Sequence, residues 1–397
     1  MEYFQVIDPK NKCDRIYLEG QLTSFDSLSS TDLCGTWGYS SNLDLLNVEY
    51  AQLYCLGKTL NEVCPSHLED RWEAASKKMK AFVRCFGNAK ISLEEHCFYD
   101  MVPTHFLMDF FKVKTQITKS VLKSHKRPDN YDFLLRLMKL VHTIEDAPIK
   151  FNFKNVDSIV LSRNSNKNLI KKINTSKGCI KYNMDGTRTG RLTTKSGSFP
   201  ILTLKKEFRN GIEPQNDLFI EMDYNAAELR TLLALLGKEQ PEEDIHEWNA
   251  KNIYRGLHPR KEAKERIFAW LYNPHSKDHL SNRAYDKEVL KQKYWDGKIV
   301  TTPYNRKIEA DEFHALNYLI QSTTSDLFLR RVVAINELLK GRKSKITFMI
   351  HDSVVIDYSS EDKDLFKQMV DVFSKTDLGT FKVNTSIGKN FGEMKQL

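Results

Sequence analysis

The sequence predicts an α+β fold, and three stretches predict it. LFIEMDYNAAELRTLLALLG (218–237) runs from a β-rich stretch directly into an apolar helix. ITFMI and SVVIDY flank His351-Asp352 and read as two strands of a hairpin. Helical apolar stripes at 104–145 and at HALNYLIQSTTSDLFLRRVVAINELL (314–339) supply the α part.

The elements follow in order. Residues 1–100 mix short apolar stretches with turn residues such as SFDSLSSTD (24–32) and carry no chemical motif. Phe106, Phe110, Phe111, Val113, Ile117, Val121 and Leu122 recur at helical spacing, with lysines between them. KSHKRPDN breaks that helix, with Pro128 and Asp129-Asn130 as punctuation. A second stripe, Phe133 to Ile144, follows. Residues 150–200 are polar and basic. A compact helical region is expected over 236–310, and a further helix over 361–374 before a strand-like tail.

Composition narrows the function. The chain has 397 residues, 41% of them hydrophobic and 28% charged, which suits folded domains and excludes general disorder. No apolar run approaches the roughly 20 residues that span a bilayer. The start, MEYFQVIDPKNKCDR, lacks a signal-peptide pattern, so a cytoplasmic protein is expected. Of the net charge of +8, the excess is concentrated: residues 101–200 hold 19 Lys and Arg against 7 Asp and Glu. One surface built for a polyanion follows from that imbalance. Seven cysteines without a signal peptide imply reduced thiols. Cys64, His67, His96 and Cys97 make zinc conceivable, but no C-x-x-C pair supports it.

Two carboxylates carry the chemistry. Asp223 ends the strand that precedes a helix, and Asp352 sits at the hairpin bend. On adjacent strands they could hold a pair of hard divalent ions, which take carboxylates and substrate phosphates as ligands. In HPRKEAKERIFAWLYNP (258–274), Pro259 suits a helix start and Asn273-Pro274 its end. Arg260, Lys264, Phe268 and Tyr272 recur every four residues and share one face, with cations spaced for a triphosphate and rings for a base or sugar.

Together these segments resemble the A-family DNA polymerases, the group of bacterial DNA polymerase I and many phage replicases. TGRLTT (189–194) resembles the family's T-G-R-L-S-S, and DYNAAELR (223–230) resembles motif A. DIHEWNA (244–250) is similar to the D-x-H-x-x-T-A before the fingers helix, and Arg260 to Tyr272 matches motif B. Asn317-x3-Gln321 resembles the family's N-x-x-x-Q, and His351-Asp352 resembles motif C. The six matches keep the family's order over roughly 180–360.

The resemblance implies a right hand, with an antiparallel-sheet palm, helical fingers and a helical thumb. Its expected boundaries are 1–100 of unknown role, 101–180 thumb, 181–235 palm, 236–310 fingers and 311–397 palm again. It implies template-directed extension of a primer with dNTPs, using two Mg²⁺ ions, with Mn²⁺ as a substitute. Asp223, Asp352 and the carbonyl of Tyr224 would hold metal. Glu228 would exclude a ribose 2′-OH. His246, Arg260 and Lys264 would grip the triphosphate, with Lys264 as general acid to pyrophosphate. Phe268 would lie on the sugar, and Tyr272 near the templating base. Arg191, Asn317, Gln321 and His351 would track primer–template DNA.

Three departures qualify it. Motif C usually ends in Glu, but Ser353 stands here, as in the related single-subunit RNA polymerases. Asn273 replaces a Gly after Tyr272. The chain is short and shows no spaced acidic set of a 3′–5′ exonuclease, so proofreading is expected to be absent or supplied by another polypeptide; a processivity subunit is a further expected partner. A phage or other viral replicase, in host cytoplasm, suits that format. The alternatives are an RNA polymerase or primase-like relative, and a non-catalytic DNA-binding subunit of the same fold. Residues 1–100 could be an exonuclease-like remnant, part of the thumb base or a docking surface.

Overall fold

The structure, a computed structural model, describes residues 2–8, 13–27, 33–44, 46–92, 95–273 and 275–397. Part of the SFDSLSSTD turn (28–32) and Pro274 lie outside the described residues. The chain forms two compact units, Met1–His142 and Thr143–Leu397.

The N-terminal unit is built on a mixed sheet of five short strands: β1 (Glu2–Val6), β2 (Arg15–Leu18), β3 (Gln21–Ser24), β4 (Leu33–Thr36) and β5 (Glu49–Tyr50). Their spatial order is β3-β2-β1-β4-β5. The first three pair antiparallel, while β4 runs parallel to β1 and β5 parallel to β4. The helix Thr104–Ser124 covers this sheet, and its stripe predicts which face it buries. Phe106, Leu107 and Phe111 pack with Ile7 and Tyr17, and Val113, Ile117 and Val121 pack with Trp72 and Leu68. Such burial contributes about 25 cal/mol per Å² of apolar surface.

The helix Thr104–Ser124 packs with the N-terminal sheet, and the two units divide between His142 and Thr143. Its apolar stripe finds its partners upstream in the chain, which the stripe alone does not reveal. Cys13 and Cys97 are not reduced thiols: they form a disulfide, with Cα atoms 5.8 Å apart. That bond removes Cys97 from the conceivable zinc ligands.

The C-terminal unit centres on a five-stranded antiparallel sheet. Its strands are Lys345–Ile350, Ser353–Tyr358, Leu218–Tyr224, Val383–Gly388 and Lys395–Gln396, in that spatial order. The two hairpin strands follow the predicted pattern, and Leu218–Tyr224 lies between Ser353–Tyr358 and Val383–Gly388. On one face of Leu218–Tyr224, Ile220, Met222 and Tyr224 are buried. Tyr224 stacks on Phe373, centroids 4.2 Å apart, and donates a 2.6 Å hydrogen bond to the Phe373 carbonyl. Alternation then turns Glu221 and Asp223 to the other face.

Helices complete the unit. Glu312–Leu338, capped by Asp311, runs beside Ala227–Leu235 and Phe366–Ser374. The helix expected over 361–374 begins instead as a 3-10 segment, Ser360–Leu365, with a kink at Asp362. Region 236–310 holds Ile245–Trp248, Arg260–Tyr272, His279–Ala284 and Lys287–Tyr294. It also holds an unforeseen hairpin, Ile299–Thr301 with Lys307–Glu309. Among the described residues, no helix is long and apolar enough to cross a membrane.

Candidate functional site

Strand pairing puts the two predicted carboxylates side by side. Asp223 is directly opposite Ser353, so Asp352 at the adjoining bend is its neighbour. Ile350 pairs with Ser353, leaving His351 and Asp352 as the two turn residues. His351 takes a positive φ of 53°, the conformation that a two-residue hairpin asks of its first turn residue. The tight turn thereby fixes Asp352 at the sheet's end. Tyr182 braces the hairpin: its hydroxyl donates to the Met349 carbonyl at 2.6 Å and accepts from the Met349 N–H at 2.8 Å.

The electrostatics are strained in one direction. Burial pushes the Asp223 carboxyl up to about 7, and the charges of Asp352 and Glu221 add to the rise. A hydrogen bond from Asn384 and the charge of Lys264 oppose it. Asp352 is also raised, by burial, against its own backbone N–H, Arg191 and His351. Lys264, on the helix Arg260–Tyr272, is near enough for its charge to act on Asp223. Perturbed groups gathered this way mark functional sites more often than structural ones.

Glu228 opens the helix Ala227–Leu235 and forms an ion pair with Arg191. Burial raises its carboxyl, Arg191 lowers it, and Asp352 raises it again. The chain before Arg191 needs its glycine. Gly190 has φ +77°, and a Cβ there would sit 2.6 Å from the Arg306 guanidinium. Arg306 is itself fixed by paired hydrogen bonds to Asp326, at 3.0 and 2.7 Å.

The helix Arg260–Tyr272 turns Ala263, Ile267, Trp270 and Leu271 into the core. The predicted face points the other way: Arg260 and Lys264 are exposed, Phe268 is half-buried and Tyr272 is exposed. Phe268 and Tyr272 stack in parallel, centroids 5.9 Å apart. The buried His246 ring lies 5.6 Å from Phe268, and among the described residues its Nδ1 has no hydrogen-bond partner. Burial lowers the His246 imidazole to about 4; Asp244 opposes this, and Lys264 and Arg260 reinforce it. Arg260 makes a two-pronged contact with Asp244, at 3.1 and 2.7 Å. Burial would raise Asp244, but Arg260, the Asn225 amide and the Glu247 N–H hold it well below the usual carboxylate range.

The remaining predicted residues lie on Glu312–Leu338. Gln321 accepts a 2.8 Å hydrogen bond from the Thr189 hydroxyl, which ties this helix to TGRL. Asn317 lines a cavity of about 340 Å³ together with Tyr272, and its buried Oδ1 has no hydrogen-bond partner among the described residues. The structure thus gathers Asp223, Asp352, Glu228, Arg191, His351 and Lys264 into one charge-coupled set. His246, Arg260 and Phe268 form a second set, which Lys264 joins to the first.

Sequence reasoning missed Glu221, Asn384 and Arg306. Strand alternation two residues before Asp223 could have flagged Glu221. Asn384 and Arg306 carry no local signal, because each acts through a partner distant in sequence.

The carboxylates suit a hard divalent cation. Both are pushed toward protonation by burial, so a +2 charge would favour their ionised forms. Among the described residues, no three His, Cys, Asp or Glu converge as a metal site. Two carboxylates with water, backbone and substrate oxygens are the donor set Mg²⁺ commonly takes.

No family model matches the chain. Curated relatives do: it is 23% identical over 286 residues to DNA polymerase I of Borreliella burgdorferi, covering 57% of this chain and 31% of that protein. DNA polymerase I of Lactococcus lactis matches at 23% over 273 residues, 54% of this chain and 31% of its own length. That of Caldicellulosiruptor bescii matches at 23% over 257 residues, 51% and 30%. The chain spans about a third of the length of these relatives. The matches support a distant relationship to the A-family DNA polymerases.

Proposed function

We propose that this chain is a template-directed DNA polymerase that extends a primer 3′ end with dNTPs. The observation that carries the reading is the pair Asp223 and Asp352, joined by strand register, with the charge of Lys264 acting on Asp223. The distant likeness to DNA polymerase I supports it. On this reading the antiparallel sheet, drawn from 181–235 and 311–397, is the palm, residues 236–310 are the fingers, and the basic stretch 101–180 is the thumb.

Asp223, Asp352 and the Tyr224 carbonyl would hold two Mg²⁺ ions, or Mn²⁺ in their place. When bound, such ions stabilise charge on the attacking and leaving oxygens of phosphoryl transfer. The chain's own residues do the positioning. Arg260 exchanges Asp244 for triphosphate oxygens, which it can bind in the same forked geometry. Lys264 holds a proton at Nζ for the leaving pyrophosphate. His246, neutral and buried, offers a hydrogen bond without adding charge. Phe268 packs on the sugar, and Tyr272 beside the templating base. Glu228, pinned by Arg191, occupies the space a 2′-OH would need. Arg191, Asn317, Gln321 and His351 follow the primer–template.

Ser353 favours one second reading, an RNA polymerase or primase-like relative. A single assay separates the two. Primer extension with dNTPs or rNTPs, on matched and mismatched 3′ ends, is expected to show strong dNTP preference and no excision of the mismatch. Preference for rNTPs would reject the first reading, and excision would reject the absence of proofreading.

A further inference from the structure

We infer that Glu221 supplies, from the neighbouring strand, the carboxylate that position 353 lacks, and that Ser353 holds it in place. The inference rests on the polymerase reading and deepens it.

Register carries the argument. Glu221 precedes Asp223 by two residues, so both side chains stand on one face of the strand. Ser353 is directly opposite Asp223, and therefore diagonal to Glu221 on that face. The Ser353 hydroxyl donates a 3.0 Å hydrogen bond to Glu221 Oε1. Ser353 is buried at 5% exposure and Glu221 is half-buried, so this contact is partly shielded from water. Glu221 makes no ion pair among the described residues, which leaves its charge directed at the Asp223 side of the sheet.

The two positions look like an exchange. The resembled motif C places Glu after His-Asp, and this chain places Ser there. A Glu at 353 would face Glu221 across the diagonal, two like charges in contact. A Ser at 353 instead donates to Glu221 and removes that conflict. The sheet keeps one additional carboxylate, relocated to the partner strand. Glu221 is a positioning residue: it does not join Asp223 and Asp352 in a three-residue ligand cluster. It adds negative field where a divalent cation is to be held, and the hydrogen bond fixes that field's direction.

The test is Mn²⁺ binding to the full chain, without DNA or nucleotide, followed by electron paramagnetic resonance. Glu221→Gln is expected to weaken Mn²⁺ by about tenfold, as loss of a nearby partly buried charge should. Ser353→Ala is expected to weaken it by about threefold, and Ser353→Thr, which keeps the hydroxyl, by less. The double variant Glu221→Ser with Ser353→Glu is expected to return to within about threefold of the parent. Thermal denaturation by circular dichroism checks folding, and Glu221→Gln should not lower Tm because it removes repulsion. Wild-type affinity in Glu221→Gln, with binding abolished in Asp223→Asn, overturns this inference alone. Unchanged binding in Asp223→Asn as well overturns both the inference and the metal reading beneath it. Failure of the exchanged variant to recover, if it is folded, overturns the claim that the two positions are interchangeable.

Discussion

The two units each bury polar groups against a sheet, and they do so in opposite ways. In the N-terminal unit, Gln5 is 1% exposed, and its side-chain hydrogen bonds among the described residues are to neutral groups. Its Nε2 donates to the Thr118 hydroxyl at 3.0 Å, its Oε1 accepts from the Trp37 N–H at 3.4 Å, and Thr118 donates onward to the Lys114 carbonyl at 2.8 Å. In the C-terminal unit, Asp223, Asp352 and Glu221 crowd one strand junction, and burial raises the first two. A satisfied neutral network adds stability and a unique packing. Crowded carboxylates lower stability, and a fold retains such a conflict where chemistry needs it.

The comparison breaks most visibly at Asp223. Asp223→Asn is expected to reduce dNTP incorporation by at least about a thousandfold while leaving Tm unchanged or higher. Steady-state primer extension and calorimetry on the same sample would check both. The pH dependence has a definite sign. The folded pKa of about 7 lies above that of an unfolded carboxylate. The folded form therefore binds the proton more tightly, and its contribution to stability is full at low pH and lost as pH rises through about 7. Urea denaturation across that window should show a fall that Asp223→Asn flattens.

On the other side of the comparison, cutting the Cys13–Cys97 bond should act on stability alone. The bond closes a loop of 84 residues, and its loss is expected to cost the N-terminal unit about 2–4 kcal/mol. Melting curves of Cys13→Ser with and without reductant would measure it. Gln5→Ala is expected to cost about 1–3 kcal/mol, because it leaves the Trp37 N–H and Thr118 hydroxyl short of partners. A loss much below that range would mean the network is not the stabilising element described. The smallest expected effect returns to the C-terminal unit: Glu228→Ala should relax discrimination against rNTPs by about tenfold or more. The ratio of kcat/KM for paired dNTP and rNTP substrates reads it directly.

Legibility in the sequence follows the same division. The carboxylate strand, the hairpin and the helix Arg260–Tyr272 were readable, because period and spacing alone specify which face each side chain takes. The N-terminal sheet was not. Its strands are two to five residues long, and β1, β4 and β5 pair in parallel across long connections. No local pattern encodes such pairing, nor which of seven cysteines will meet. Glu221 stood in a readable strand, yet its hydrogen bond to Ser353 depends on register between segments 132 residues apart. The Arg306–Asp326 clamp behind Gly190 was hidden for the same reason.

The most direct measurement is a double-mutant cycle of primer extension with Asp223→Asn, Asp352→Asn and both together. If the two side chains serve one site, each single change removes nearly all dNTP incorporation and the double variant is no worse than either. Substantial extension by both single variants would contradict the account at its centre.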